Sequence, residues 1–561
     1  MLAGSFTFVL HSHMPYVLDH GESPNGADWL YEAAAETYVP LLDTCHRLID
    51  EGISPQITLG LTPILCEQLA DHRFRHRFPR YLARIRDQAA VDAQTFTALG
   101  DHALANVAQN WVHRYDKLIT TFRSSYGGDL IAAFRQLQEA GYIEIIASSA
   151  THGYSPLLLD DDSVRRQVSV GVGAHERHFG RRPRGYWLPE CAYRPAGAWV
   201  PPQTGATEWG SARERLGVDD VLAENGIVYF FAETRGYETP YMSSFGSRLD
   251  AIAAMGEPKA ATDANPSPYS AHMVASRTGT SGCVQVFFRD PATGLQVWSG
   301  ESGYPSSEWY LDFHKRQPGD GSMGLRYWRV TGRDGEKEPY DHCAAERQTR
   351  RNARHFASIV TSTLRREKPS GDGIICATYD TELFGHWWHE GADFLYHAIR
   401  ELHRRGAVRR VTCGGYLATP QPASIPITLP EGSWGAGGKH AVWLNAKTEW
   451  VWELIYSAET RAQHLRKICR EGDRFLMQAE RELLLLEASD WPFLISTDGA
   501  ADYAALRLRH HNLDFHALAD IIELRARGHE PTVSNWKALA ASERRDHIFT
   551  RHAKTFRAAK T

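Results

Sequence analysis

Two carboxylates stand in aromatic settings far apart in the chain. Glu190 lies in Gly-Tyr-Trp-Leu-Pro-Glu-Cys-Ala-Tyr (185–193), and Asp380 lies in Ala-Thr-Tyr-Asp-Thr-Glu-Leu-Phe-Gly-His-Trp-Trp-His-Glu-Gly (377–391). Most acidic residues are solvated or ion-paired surface groups. These two directly follow short apolar runs, where exposure is least expected, and tyrosine and tryptophan flank both. Paired carboxylates among aromatic rings are what cleavage or transfer of a glycosidic bond requires. Close spacing would give a nucleophile plus an acid/base and retention at the anomeric carbon; wider spacing would admit a water and give inversion.

Histidines form the second group. His11 and His13 lie in one extended segment, where alternation points both rings to the same side. With His152 and Asp380 they are the right residue types for a metal site. The same histidines equally suit hydrogen bonding to sugar hydroxyls, or ordinary core positions. Without a clustered third histidine, sugar binding ranks ahead of metal. Tryptophans form the third group: Trp298, Trp434 and Trp443, with Trp388 close after Asp380. Core packing is the usual fate of a tryptophan. Trp434, between Ser433 and Gly435, reads as a loop residue with an indole face open for a pyranose ring. Cys191 has no evident triad partner and is expected beside the site.

These residues need a scaffold. Short apolar runs at 6–10, 57–61, 143–148, 185–188, 227–231, 284–288 and 374–378 read as strands, and amphipathic stretches such as 27–51 and 162–179 as helices. That alternation implies a parallel sheet. Polar residues follow the strands: His-Ser-His, Ser-Ala-Thr-His, Pro-Glu, Ala-Glu-Thr and Tyr-Asp. A β/α barrel gathers its site at that face. An open doubly wound sheet does so too, but no glycine-rich phosphate loop follows any strand. Residues 73–137 are helical in pattern and too long for one crossover, so they read as an insertion. Residues 232–283 form a long aperiodic loop. A helical pattern runs from 460 to 528, broken near 490–492.

Bulk properties narrow the classes. The 561 residues carry 62 basic and 67 acidic side chains, a net charge of −5 that gives no support for a nucleic-acid or membrane partner. Eight cysteines without a CxxC pair suggest free thiols in a reducing compartment. The first residues lack a signal-peptide pattern, and no run approaches the ~20 apolar residues of a membrane span. A soluble, cytoplasmic protein is expected; the oligomeric state is not legible.

Four motifs carry a resemblance. His-Ser-His-Met-Pro-Tyr (11–16), Ser-Ala-Thr-His-Gly-Tyr (149–154), Trp-Leu-Pro-Glu-Cys-Ala-Tyr (187–193) and the run 379–391 are similar to those of glycoside hydrolase family 57. Arg289-Asp-Pro-Ala-Thr-Gly-Leu-Gln-Val-Trp-Ser, Gly303-Tyr-Pro, Gly-Ser-Trp-Gly and Val-Trp-Leu-Asn resemble its 1,4-α-glucan branching members. The resemblance implies an α/β fold, an incomplete (β/α)7 barrel over 1–75 and 138–410. It also implies an inserted helical subdomain over 76–137 and a C-terminal helical domain over 411–561. It implies a retaining transglycosylase with no metal or other cofactor, acting on α-glucans such as amylose or a glycogen-like polysaccharide. Glu190 matches the nucleophile and Asp380 the general acid/base. His11, His13 and His152 match residues of the first subsite; Trp298, Trp434 and Trp443 match aromatics that hold the chain. The family's lid tyrosine falls in the aperiodic loop, with Tyr237, Tyr241 and Tyr269 as candidates. An α-amylase or 4-α-glucanotransferase on the same scaffold is the alternative. A metal-dependent deacetylase or amidohydrolase and a non-catalytic glucan-binding protein stand further off.

Overall fold

The first strand, β1 (Ser5–Ser12), is buried along its whole length. It ends in a serine flanked by two histidines. Six more strands lie parallel to it: β2 (Ile57–Leu61), β3 (Ile143–Ser148), β4 (Gly185–Trp187), β5 (Tyr229–Ala232), β6 (Gln285–Phe288) and β7 (Ile374–Asp380). The order across the sheet is β7-β1-β2-β3-β4-β5-β6. Strands buried on both faces read as near-continuous apolar runs, which is why they are visible in the sequence. The sheet curls until the residues after β6 touch β7, where Arg289 pairs with Cys376 in one isolated parallel bridge. The result is an incomplete seven-stranded β/α barrel, closed on that side by a single bridge. This is a computed structural model; it describes residues 2–202, 209–233, 266–275, 284–317, 324–331, 336–420, 426–470 and 472–550.

Register places the chemistry. β1 and β7 pair so that His11 stands beside Asp380, and on the other side His11 stands beside Gly60 of β2. The carboxylate is therefore delivered by the last residue of its strand, at the end of the barrel where the histidines emerge.

The helices differ from expectation in their breaks. The helix expected over 27–51 is Ala27–Ala33, a π-helical turn Ala34–Tyr38, and Val39–Asp50. Pro40 has no N–H, so one regular bond cannot form and the turn widens. The stretch 73–137 divides into His72–Ala98, His102–Thr120 and Leu130–Glu139. Its first break is at Gly100, in the left-handed region at φ 78, and Asp101 then caps the next helix by accepting from the Leu104 N–H. The first two helices pack together as a hairpin, and the third leads into β3.

The C-terminal region is helical: Glu449–Ile468, Arg474–Leu486, Asp490–Ser496, Ala501–Ala526 and Val533–Arg545. The break expected near 490–492 lies at 487–489, and Trp491-Pro492 open the following helix. A proline is tolerated in a first helical turn, where no intrahelical partner is lost. This break is one of the C-terminal region's contacts with the barrel mouth. Gly153 pairs with Ala488 in an isolated bridge, and the Ser489 N–H donates to the His152 carbonyl at 3.0 Å.

Candidate active site

Glu190 follows β4 in a tight turn and takes φ 60, ψ 25; Cys191 after it takes φ 48, and His152 beyond β3 takes φ 62. Left-handed backbone at three non-glycine residues costs energy and persists where the surroundings enforce it. Here they do. The Tyr193 N–H donates to the Gly432 carbonyl at 2.8 Å, the Gly432 N–H returns to Tyr193 at 3.0 Å, and the Trp434 N–H donates to the Glu190 carbonyl at 3.1 Å. A segment more than two hundred residues away thus clamps the turn that carries the carboxylate.

The Glu190 side chain is held by two donors. The Trp434 indole N–H reaches Oε2 at 2.8 Å, and the Ser489 hydroxyl reaches Oε1 at 3.1 Å. His152 Nδ1 lies 2.8 Å from Ser489 Oγ, and His152 Nε2 lies 3.1 Å from His11 Nε2. His13 Nε2 sits 2.9 and 3.0 Å from the two Asp490 oxygens. His13 stacks on His152 at 3.9 Å, and His11 stacks on Trp187 at 4.7 Å.

Electrostatics follow from burial. Burial raises the Glu190 carboxyl to about 7, with Asp490 adding to the rise; the Trp434 and Ser489 hydrogen bonds and the His13 charge oppose it. Burial and the neighbouring His13 hold His11 and His152 well below the usual histidine range, so both are neutral. Burial would also lower His13, but the Asp490 carboxylate more than offsets it, helped by Glu190 and Glu382, and His13 is raised. The site therefore holds a hydrogen-bonded His13–Asp490 pair, with His13 shifted toward its charged form, beside a carboxyl raised to about 7. Such perturbed groups mark functional sites.

Asp380 is half-buried beside His11. The Cys191 thiol is pushed up by burial and also feels the Glu233, Glu190 and Asp380 charges, so both carboxylates border the same small region. Arg289, paired with Glu233 at 2.7 Å, lies 5.9 Å from the Trp434 ring.

The tryptophans divide. Trp298 packs edge-on to Trp434 at 6.1 Å, and Trp187 does so at 5.2 Å. Trp443 stacks on Tyr154 at 4.5 Å. The loop setting of Trp434 predicts an exposed indole, but the structure buries it to 1% exposure. Its ring fills the space between Trp187 and Trp298, and its N–H is spent on Glu190. Trp388 is also buried, and its ring neighbours are Tyr304, Tyr310, Phe384 and Phe394, an aromatic core rather than the rings around Glu190. Trp388, close after Asp380 in the chain, packs within that core. Tyr269 meets the other end of β7. It is buried, its carbonyl accepts from Ile374 at the first residue of β7, and Asp380 ends that strand. A six-residue strand span of roughly 20 Å separates the two ends, so the Tyr269 backbone lies at the far end of that strand from Asp380. Tyr237 and Tyr241 lie outside the described residues.

Sequence reading did not find Ser489 or Asp490. The only signal was the interruption of a helical pattern by Asp490-Trp491-Pro492, which marks a break and not a destination.

Ligand-type atoms of His13, His152 and Asp490 come within 4.8 Å of one another. They do not fit one ion. A ligating lone pair lies in the imidazole plane, and these two rings are stacked 17° from parallel, so their planes do not meet at a common point between them. Each nitrogen involved already has a protein partner. The buried group Glu32, Glu36 and His386 has the Arg326 guanidinium 2.5 Å from Glu36, where a cation would sit.

Comparison with known proteins supplies the family. The model for glycosyl hydrolase family 57 matches residues 7–428, three quarters of the chain. The chain belongs to glycosyl hydrolase family 57. A second model, the C-terminal region of 1,4-alpha-glucan branching enzymes, matches residues 453–555. Among curated relatives of this family-57 chain, a 1,4-alpha-glucan branching enzyme of Thermococcus kodakarensis is 41% identical over 92% of the chain and 74% of its own length. A probable 1,4-alpha-glucan branching enzyme of Mycobacterium tuberculosis is 30% identical over 94% of each. Among solved structures, the Thermococcus kodakaraensis family-57 branching enzyme superposes with a TM-score of 0.87 at 38% identity, covering 100% of this chain and 97% of that one. The α-amylase AmyC of Thermotoga maritima superposes at 0.78 with 27% identity, covering both chains fully at 100%.

Proposed function

We infer that this family-57 protein is a 1,4-α-glucan branching enzyme. One observation carries the reading. The region similar to the branching-enzyme C-terminal model brings Ser489 onto Glu190 and Asp490 onto His13. The part of the chain that resembles branching enzymes beyond the family barrel is thus built into the centre of the site.

In this reading Glu190 is the nucleophile and Asp380 the general acid/base. Glu190 attacks the anomeric carbon of an α-1,4 link while Asp380 gives its proton to the departing glycosidic oxygen. The C–O bond breaks and a glycosyl ester forms on Glu190. Asp380, now ionised, takes the proton of an acceptor 6-hydroxyl; the acceptor oxygen displaces Glu190, and an α-1,6 branch results with retained configuration. His11, His13 and His152 line the donor sugar. Trp298, Trp434 and Trp443 are the aromatics proposed to hold the glucan; for Trp434, buried as it is, ring packing and the N–H on Glu190 support the donor subsite from behind.

The same reading proposes a barrel of 1–75 and 138–410, a helical insertion of 76–137 and a C-terminal domain of 411–561. It places the protein in glycogen-like polysaccharide synthesis in the cytoplasm. No helix among the described residues is long and apolar enough to cross a membrane. Likeness to an α-amylase keeps hydrolysis as the second reading. Incubation with amylose separates the two. New α-1,6 linkages without a matching rise in reducing ends support branching; reducing ends without branches overturn it.

A further inference from the structure

Ser489 has a position that the proposed chemistry leaves unused. It is 1% exposed, comes from the break between the helices Arg474–Leu486 and Asp490–Ser496, and is bonded to the barrel at both its backbone and its hydroxyl.

The hydrogen bonds around it allow one proton order when Glu190 is ionised. A carboxylate only accepts, so Ser489 Oγ–H must donate to Glu190 Oε1. The serine proton is then committed, so the contact with His152 Nδ1 requires Nδ1–H to donate to Ser489 Oγ. Neutral His152 then carries a bare Nε2, which must accept from His11 Nε2–H. Neutral His11 is left with a bare Nδ1, and that nitrogen is buried without a hydrogen-bond partner. The end of the chain fits this direction. Reversing every bond would leave an N–H donor orphaned at His11 Nδ1, and a buried unpaired donor is rarer than a buried unpaired acceptor.

We propose that Ser489 is a positioning residue for Glu190, supplied by the C-terminal helical region, whose hydroxyl completes a one-way hydrogen-bond chain from His11 through His152 and holds Oε1 ionised and aimed. The proposal rests on Glu190 being the nucleophile. It gives the C-terminal region a part in the chemistry, because the barrel alone provides no second donor to that oxygen among the described residues.

Other charges act on Glu190. His13 and its partner Asp490 face it from β1 and the C-terminal region, His152 and Tyr154 from beyond β3, and Cys191 from its own turn. Asp380 and the Glu233–Arg289 pair lie beyond Cys191. Replacing Ser489 alters none of these charges, so a change in the acid limb of the rate profile reports the hydrogen bond.

The test is the pH dependence of kcat/KM for amylose branching in S489A, S489T and the unaltered full-length enzyme. Hydroxyl donation stabilises the carboxylate, so its loss raises the Glu190 pKa. The acid limb of S489A is expected to move up by about one pH unit, the size that follows from losing a charge-assisted hydrogen bond. kcat falls while KM for amylose changes little, and S489T, which keeps a hydroxyl, moves the limb back. A merely structural serine would lower activity at every pH and leave the limb in place; that result overturns the proposal. Should S489A not fold, S489T and S489C carry the comparison, since a thiol donates weakly: a raised limb in cysteine alone supports the proposal, and equal limbs overturn it. E190Q separates the two levels. Turnover in E190Q breaks the nucleophile reading itself, whereas a dead E190Q with an unshifted S489A limb overturns only the role of Ser489.

Discussion

Trp434 holds Glu190 twice: its indole N–H donates to Oε2 at 2.8 Å, and its backbone N–H donates to the Glu190 carbonyl at 3.1 Å. One contact fixes the carboxylate and the other fixes the left-handed turn that presents it. Burial of the indole, which the loop context in sequence does not suggest, is the condition for both.

W434F keeps a large ring and the backbone bond but removes the indole donor. The Glu190 carboxylate loses stabilisation, so its pKa rises and the acid limb of kcat/KM moves to higher pH. A loss of about tenfold or more in kcat near neutrality is expected, from one hydrogen bond to a charged group. Initial branching rates across pH check it; an unshifted limb contradicts the indole's role.

For the unaltered enzyme the sign is set by ionisation of Glu190, the proposed nucleophile. Glu190 is raised to about 7 by burial, so kcat/KM climbs as pH rises toward and through about 7, and it falls again at the pH where Asp380 no longer carries the proton it must give. A rate that is flat from mildly acid to alkaline pH would show that Glu190 ionisation does not limit the reaction.

E190Q keeps the shape and the two donors' acceptor geometry in part but removes the carboxylate proposed as the nucleophile. Turnover is expected to fall by at least about a thousandfold, with glucan binding retained in affinity electrophoresis. Retained turnover refutes the assignment.

Arg326 and Glu36 form a buried pair at 2.5 Å, with His386 2.8 Å from the other Glu36 oxygen. Burial would raise the Glu36 carboxyl, but Arg326 and His386 override it and hold it below the usual carboxylate range. Its contribution to stability is therefore present above the ordinary glutamate range and lost as pH falls through the depressed value. R326A leaves the charge buried and unpaired and should cost about 3–5 kcal/mol in denaturant unfolding at neutral pH. A smaller loss at acid pH than at neutral pH is the expected signature; an equal loss at both argues against the pairing.

Gly385 connects the Asp380 strand to the aromatic segment behind it. It has φ 130, and a Cβ there would stand 1.9 Å from the Glu36 carbonyl oxygen. G385A is expected to lower the melting temperature and the activity together. A variant with unaltered melting contradicts this packing.

Much of the barrel is legible in the chain because its strands are buried on both faces. β2 and β3 have the residues that the apolar runs mark, and the others differ by at most a few residues at their ends. Helix breaks were harder to read. Gly100 and Pro40 act through local backbone geometry inside long amphipathic patterns, where periodicity outweighs one residue. The burial of Trp434 is hidden for a related reason: a loop setting beside a glycine does not say which way a ring packs.

By itself the sequence determined the residue types and their strand ends: Glu190, Asp380, His11, His13 and His152 all follow apolar strands, and hydrophobic burial makes such strands recognisable. The tertiary structure alone decided what touches Glu190. Ser489 and Trp434 reach it across separations of 299 and 244 residues, and no local pattern encodes such a contact. It arises because the C-terminal helices bury their faces against the barrel, and the break between two of those helices falls over the mouth.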